Sequence, residues 1–501
     1  MSLPTTVGTG HAFISYVRED AAHVDRIQSV LEAAGVAVWR DTANLWPGED
    51  WKLKIRQAIT SDSLAFIACF SENSAAREKS YQNEELLLAV DQFRLRPPDK
   101  PWLIPVRLSD CQIPQYDLGA GRTLDSLQRL DLFDDRWERG VPKLVAGVLR
   151  ILGEADIGAG GTIEILEGLS DEDREAALPD AIKGMLLDPQ RQIALDDLVT
   201  SEANSARHLL LDEGRFPTGF DQMNETIPAV RYIVSQCDRY WDAVRPLAVT
   251  LATGCAWGRD EHVGIWARAM RSIAGTATRD SSGLQALIDL RRYPVLPVLY
   301  AGGLASVDRG NYASLRAITI DAQVRRRGKV IPAIGIANVW GAFGTYPLPA
   351  HVLAFVSGGA EVTDEMITEL ATGRKGKRYT PVSDHLHQRL RDLFRATIPD
   401  DEDYGEDFDR LEVLLAAILI DVRGETNDPQ IRIDLPWYGS YTWRYRYSDD
   451  PLEKQIQAEL LSQKEHWPPL KAGLFGGSRT RASQAFEILV QEAAEARQRH
   501  W

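Results

Sequence analysis

The chain has 501 residues, 44% hydrophobic and 26% charged, an ordinary globular composition that leaves room for about three domains at about 150 residues each. Its 72 acidic and 57 basic side chains give a formal net charge of −15, which argues against a general nucleic-acid coat because phosphate binding wants a dominant positive field; one local basic groove stays open. Four scattered cysteines (Cys69, Cys111, Cys237, Cys255) with no CxxC pair argue against a disulfide framework or a cysteine zinc site, and for a cytosolic chain.

The first residues carry neither a basic n-region nor a long apolar core, so no secretory signal is expected. Residues 11–16 (HAFISY) form a short apolar run, followed by an amphipathic stretch from Ala21 to Ala34 that Gly35 closes. Further strand-like runs follow at 36–39, 63–70 and 101–107, with a weaker one at 126–133. Helical patterns lie between and after them at 51–60, 81–95 and 141–152. Short continuous apolar strands alternating with helices predict a doubly wound α/β domain, flavodoxin-like, with a parallel five-stranded sheet covered on both faces. Ligands of such sheets bind beyond the carboxyl ends of the strands.

The Gly-rich segment 153–161 reads as a linker. Beyond it the pattern turns mostly helical, at 171–187, 193–211, 227–251, 261–273, 284–292 and 312–326. The acidic stretch 399–408 reads as an exposed loop, 410–419 as a helix, 431–447 as a strand pair and 479–497 as a terminal helix. The expected organisation is a first domain over 8–152, the linker, a helical domain over 162–398 and an α+β or helical extension over 399–501. Residues 1–155 carry 18 basic and 22 acidic side chains, so −11 of the net charge lies downstream. Residues 330–360 contain no Asp, Glu, Lys or Arg and follow a basic run, which suits a membrane span in length. Pro332, Pro347, Pro349 and many glycines interrupt it, so a buried, loop-rich core segment is the expectation and a span is not.

Three pieces of the first domain fit one pattern. Phe13-Ile-Ser-Tyr-Val-Arg18 is a strand ending in small polar and aromatic residues. Trp39-Arg-Asp41 ends a second strand, and Leu45-Trp-Pro-Gly48-Glu-Asp-Trp51 makes a turn into a helix. Ser80-Tyr-Gln-Asn-Glu-Glu85 opens a third helix. In order and at these spacings they resemble the Toll/interleukin receptor (TIR) domain, particularly its bacterial members, over about residues 8–152. Tyr81 and Glu85 match an aromatic-x-x-x-Glu motif of that family, with Tyr where Trp is usual.

The resemblance implies that Glu85 is the catalytic residue for cleaving the nicotinamide–ribose bond of NAD+. It further implies that Ser15, Tyr16, Arg18, Asp41, Leu45, Trp46, Gly48, Trp51 and Tyr81 line the NAD+ cleft. No metal and no cofactor beyond NAD+ as substrate are expected. The layout is similar to bacterial antiviral effectors in which TIR domains self-associate, under control of an unknown ligand or protein acting on residues 162–501. Two other readings stay open: a docking module without activity, and a sensor that binds NAD-like nucleotides without turnover. From the residues alone, Glu84 and Glu85 also suit the first turns of a helix, where the dipole favours acids. Arg18 equally suits the surface, Trp46 and Trp51 suit either ring stacking or core, and Gly48 serves the turn.

Other motifs carry less. His385-Leu-His387 has the wrong spacing for one helical face, so metal binding there is not expected. Residues 473–478, before a helix, lack the Lys-Ser/Thr of a phosphate loop. The basic clusters 325–329 and 374–378 read as solvated turns or as halves of an anion site. The apolar, Gly-broken runs 251–258 and 292–303 suit a core or a pocket floor alike.

Overall fold

The computed structural model describes residues 11–34, 36–40, 64–77, 81–95, 102–119, 122–151, 166, 171–326, 328–339, 341–426 and 439–500. The predicted helix 51–60 and the linker 153–161 lie outside the described residues. The chain divides into two compact units, Met1–Ala181 and Ile182–Trp501.

The first unit is built on β1 (His11–Ser15), α1 (Ala21–Ala33), β2 (Ala37–Trp39), β3 (Leu64–Phe70), α2 (Tyr81–Leu95), β4 (Leu103–Arg107), β5 (Leu130–Asp131) and α3 (Trp137–Ile151). The five strands lie in the order β2-β1-β3-β4-β5, and every neighbouring pair is parallel. This is the predicted flavodoxin-like sheet.

Alternation along the strands sends side chains to two cores. Ala12, Ile14, Ile67, Cys69 and Val106 pack under Val24, Ile27 and Leu31 of α1 and Val141, Val145 and Val148 of α3. Phe13, Phe66, Ala68, Phe70 and Leu103 pack under α2, whose buried stripe is Leu86, Ala89, Val90 and Phe93. That stripe follows the three- and four-residue spacing of one helical face. Phe13 stacks on Phe66 at 5.4 Å between ring centroids, and Phe66 meets Trp102 edge-on at 5.8 Å.

The second unit is mostly helical, as expected. Its main helices include α5 (Gln192–Leu210), α6 (Thr226–Trp257), α7 (Val263–Thr276), α8 (Val295–Asp308), α9 (Leu348–Ser357), α10 (Asp364–Thr372), α11 (Pro381–Phe394), α12 (Asp401–Thr426), α13 (Leu452–Gln463) and α14 (Arg479–His500); α4 (Asp171–Leu187) runs across the boundary between the units. The Gly-broken run 292–303 is core: α8 is buried from Val295 to Val307 and packs against α6 and α12. A helix apolar all round belongs at the centre of its unit. Gly303 permits that centre, since a Cβ there would meet Leu411 Cδ1 of α12 at 2.7 Å.

The segment 330–360 is also core. Ala333, Ile334, Ile336, Ala337, Val339 and Phe343 are buried, and α9 buries Val352 and Leu353. Among the described residues no helix is long and apolar enough to cross a membrane.

Three expectations are corrected. The acidic stretch 399–408 is not a loop but the start of α12. Asp400 accepts hydrogen bonds from the backbone N–H groups of Glu402 (2.7 Å) and Asp403 (3.1 Å), so the acids satisfy and complement a helix N-terminus, while Tyr404 and Phe408 are buried one turn apart. Residues 312–326 are not one helix. A short helix, Tyr312–Arg316, passes through a wider turn into the strand Gln323–Arg326, which pairs antiparallel with Lys329–Pro332. Gly328, at φ +80°, turns this hairpin, and Val324 and Ile331 bury its inner face. In the predicted strand pair 431–447, the part within the described residues is helical, Ser440–Arg444; residues 431–438 lie outside them.

Candidate functional site

The site forms where β1 and β3 end. Ser15 is the last residue of β1 and, by alternation after Phe13, faces α2. Its neighbour in register is Ala68, so two small side chains leave space above the sheet. Glu85 enters that space from α2. It belongs to the same helical face as Gln82, Leu86, Ala89 and Phe93, and is only 5% exposed. The Ser15 hydroxyl donates to Glu85 Oε2 at 2.6 Å.

Gln82, one turn earlier, fixes the helix to both strands. Its Nε2 donates to the Cys69 carbonyl at 2.5 Å and more weakly to the Ser15 carbonyl at 3.4 Å. Asp20 ties the two following loops. Its Oδ2 accepts from the Ser71 hydroxyl at 2.5 Å and its Oδ1 from Asn73 Nδ2 at 2.7 Å. Ser71 also caps the one-turn helix Glu72–Ala75, accepting from the Ser74 N–H at 3.1 Å. Outside this network, Arg77 pairs with Glu19 across the same loops.

Asp20, Ser71, Asn73 and Gln82 escape a reading of the sequence. In the sequence Asp20 and Gln82 are ordinary first-turn polar residues, and only burial, at 3% and 4% exposure, marks them. The sole local signal was Ser71 directly after a strand, a position that favours a helix cap.

Of the expected NAD+-cleft residues, Ser15 and Glu85 are brought together. Tyr81 is the first residue of α2, one turn before Glu85. Tyr16 is buried in the core on the α1 side of the sheet, away from the α2 side that holds Glu85. Arg18 is exposed on a short turn, Arg18–Asp20, after β1. Asp41, Leu45, Trp46, Gly48 and Trp51 lie outside the described residues.

The cysteines of this unit are poor nucleophiles. Burial, with the Asp20 charge adding to it, pushes the Cys69 thiol far up, and burial also raises Cys111. A cleft of about 400 Å³ lies beyond β4 and β5, lined by His23, Arg26, Ser109, Asp110, Phe133 and Trp137. It sits on the α1–α3 side of the sheet, opposite Glu85.

Residues 12–145 match the family model described as TIR domain. A TIR domain is recognised in the first unit. No curated protein and no solved structure matches the chain. The five parallel strands agree with that family match, which covers less than a third of the chain. The TIR domain is compatible with a role in NAD+ cleavage or in scaffolding.

In the second unit His385 is a core residue. Its Nε2 lies 2.6 Å from the Tyr293 hydroxyl and its Nδ1 2.6 Å from the Ser357 hydroxyl, while burial lowers its pKa to about 3. Among the described residues no group of three or more His, Cys, Asp or Glu is placed to hold a metal ion.

Proposed function

We propose that the TIR domain cleaves the nicotinamide–ribose bond of NAD+, with Glu85 as the catalytic carboxylate and with no cofactor beyond the substrate itself. The observation that carries this reading is the placement of Glu85: a nearly buried carboxyl group at the carboxyl ends of β1 and β3, held by the Ser15 hydroxyl. That is the edge of a doubly wound sheet at which ligands bind.

The chemistry suits a single carboxylate. In NAD+ the nicotinamide nitrogen is already cationic, so the bond from ribose C1′ breaks with its electron pair passing to that nitrogen, and nicotinamide leaves neutral without a general acid. The ribosyl group left behind carries oxocarbenium character, as in glycoside cleavage. A carboxylate beside it stabilises that charge or holds the ribose hydroxyls. Attack of water at C1′ gives ADP-ribose and a proton; attack of a nitrogen of the same molecule gives a cyclic product. The remaining cleft residues of this reading are Arg18, Asp41, Leu45, Trp46, Gly48, Trp51 and Tyr81; Tyr16, expected there, is buried in the core on the other side of the sheet.

In this reading, self-association of TIR domains completes the site, and residues 162–501 control it through an activating ligand or protein, as in a bacterial antiviral effector. The isolated monomer is then nearly inactive. Equal NAD+ turnover per chain by dilute monomer and by oligomer overturns that part.

A second reading, a docking module without turnover, draws on the same pair. Glu85 is buried and already hydrogen-bonded, which is how a purely structural carboxylate staples a helix to a sheet. Incubation with NAD+ separates the two. Nicotinamide release by the wild type and its loss in Glu85→Gln support the enzyme; no release from clustered wild-type protein supports the docking module.

A further inference from the structure

We propose that the helical unit binds single-stranded nucleic acid along a strip of cations and aromatic rings formed by Lys375, Arg378 and Tyr379 on one segment and Trp443, Arg446 and Tyr447 on another.

The first segment begins where Gly373, at φ +74°, ends α10 and releases the chain into an exposed turn before α11. Its cations are held in place. The Lys375 ammonium lies 4.6 Å from the centre of the Phe355 ring, and the Arg378 guanidinium 4.9 Å from it. The next residue, Tyr379, stacks on Trp443 of the second segment, with ring centroids 5.0 Å apart and planes 21° from parallel. Arg446 then lies 3.4 Å over the Trp443 ring and 4.5 Å from the Tyr447 ring. Burial raises the pKa of Asp384 on α11, and the charges of Arg378 and Arg444, one from each segment, oppose that shift.

Rings and cations therefore run together over one surface. Tyr379 is 46% exposed and Tyr447 83% exposed, so aromatic area that ordinary packing would bury is offered to solvent. Residues 374–379 and 443–447 hold six Lys and Arg side chains and no carboxylate, in a chain of net charge −15. Arg444 is committed to Asp409 and the Gly405 carbonyl, and Asp449 and Asp450 close the strip at one end.

The arrangement selects the ligand class. A duplex hides the faces of its bases and offers side chains only its phosphates and groove edges. A single strand presents phosphates and unstacked base faces alternately, which matches fixed cations beside exposed rings. DNA and RNA share this chemistry, and the test carries one arm for each.

The test uses the full chain and fluorescein-labelled oligo(dT) and oligo(U) of about 20 nucleotides, read by anisotropy against salt. Both strands are expected to bind, more weakly as salt rises. Removing two cations in Lys375→Ala/Arg378→Ala is expected to flatten the slope of log affinity against log salt by about 1.4. Tyr447→Ala is expected to weaken binding about tenfold, and Tyr447→Phe, which keeps the ring, to leave it within about twofold. Absence of binding to either strand at low salt overturns the proposal. So does a blunt duplex or polyglutamate binding as tightly as the strands, or an affinity that Tyr447→Ala leaves unchanged.

Discussion

Ser15 and Glu85 stand 70 residues apart in the chain and 2.6 Å apart in space, a hydroxyl at the end of β1 donating to a carboxyl oxygen on α2. The pair joins the two regularities that build this domain, a strand period of two and a helical face of three to four. It also fixes the direction in which the carboxyl group points.

Ser15→Ala removes the donor and leaves Glu85 Oε2 without that partner in a buried site. A hydrogen bond to a carboxylate is worth about 1.5–3 kcal/mol, so chemical denaturation is expected to show a loss of that size. Turnover of NAD+ is expected to fall as well, because the carboxyl group loses one of the bonds that orient it. A variant of unchanged stability removes the pair from the account of the fold.

Asp20→Ala tests the loops. Asp20, after β1, takes hydrogen bonds from both Ser71 and Asn73, and its loss leaves the buried Ser71 hydroxyl, after β3, without that acceptor. The expected cost is about 1–3 kcal/mol, with faster amide exchange in residues 71–77 than in the strands. Exchange unchanged in that loop contradicts the role given to Asp20.

A buried acid pair in the second unit predicts a pH dependence. Glu412 accepts from the Tyr300 hydroxyl at 2.9 Å and from the Ser440 N–H at 2.5 Å; the Ser440 hydroxyl donates to Asp409 at 2.5 Å. Burial pushes Glu412 up to about 7, with the Asp409 charge adding to the shift, and burial pushes Asp409 up to about 6. Raised carboxyl pKa values mean that the folded state holds more protons than the unfolded chain between about pH 4 and about pH 7. Stability from this pair is therefore fully present below about pH 4 and declines as pH rises through about 7. Glu412→Gln is expected to flatten that decline by about 2–3 kcal/mol between about pH 5 and about pH 8. The slope is the readout, since the amide also exchanges an acceptor for a donor. An unchanged slope assigns the pH dependence elsewhere.

Arg497 on α14 clamps Glu453 on α13 with two parallel hydrogen bonds of 2.7 and 2.9 Å, and Glu453 is fully buried. Arg497→Met leaves an unpaired buried carboxyl group, and the expected cost is about 3–5 kcal/mol in urea unfolding. A cost below about 1 kcal/mol would show that the pair acts as a surface bridge does.

Much of this was legible in the sequence, for physical reasons. β1, β3 and β4 are short apolar runs because both faces of the sheet are covered, and α2 announced itself by the spacing of Leu86, Ala89, Val90 and Phe93. Glu85 was legible through its motif. The alternation that parts Ser15 from Tyr16 was also visible, but not which face of the sheet each would meet. The start of α12 was missed because the six acids of 399–408 outweighed the turn-spaced Tyr404 and Phe408. The hairpin at Gly328 was missed because residues 312–322 favour a helix, while only tertiary burial of Val324 and Ile331 decides the strand.

Glu85 is the residue proposed to cleave NAD+. The most direct measurement is NAD+ content in cells accumulating the full chain to a level at which mass action drives self-association, beside cells holding equal amounts of Glu85→Gln. The isosteric change keeps an acceptor for Ser15 and is expected to fold normally, while turnover falls by at least about 100-fold. The account predicts NAD+ depletion with the wild type alone. Equal depletion by both chains, or NAD+ held at its normal level by both, contradicts it.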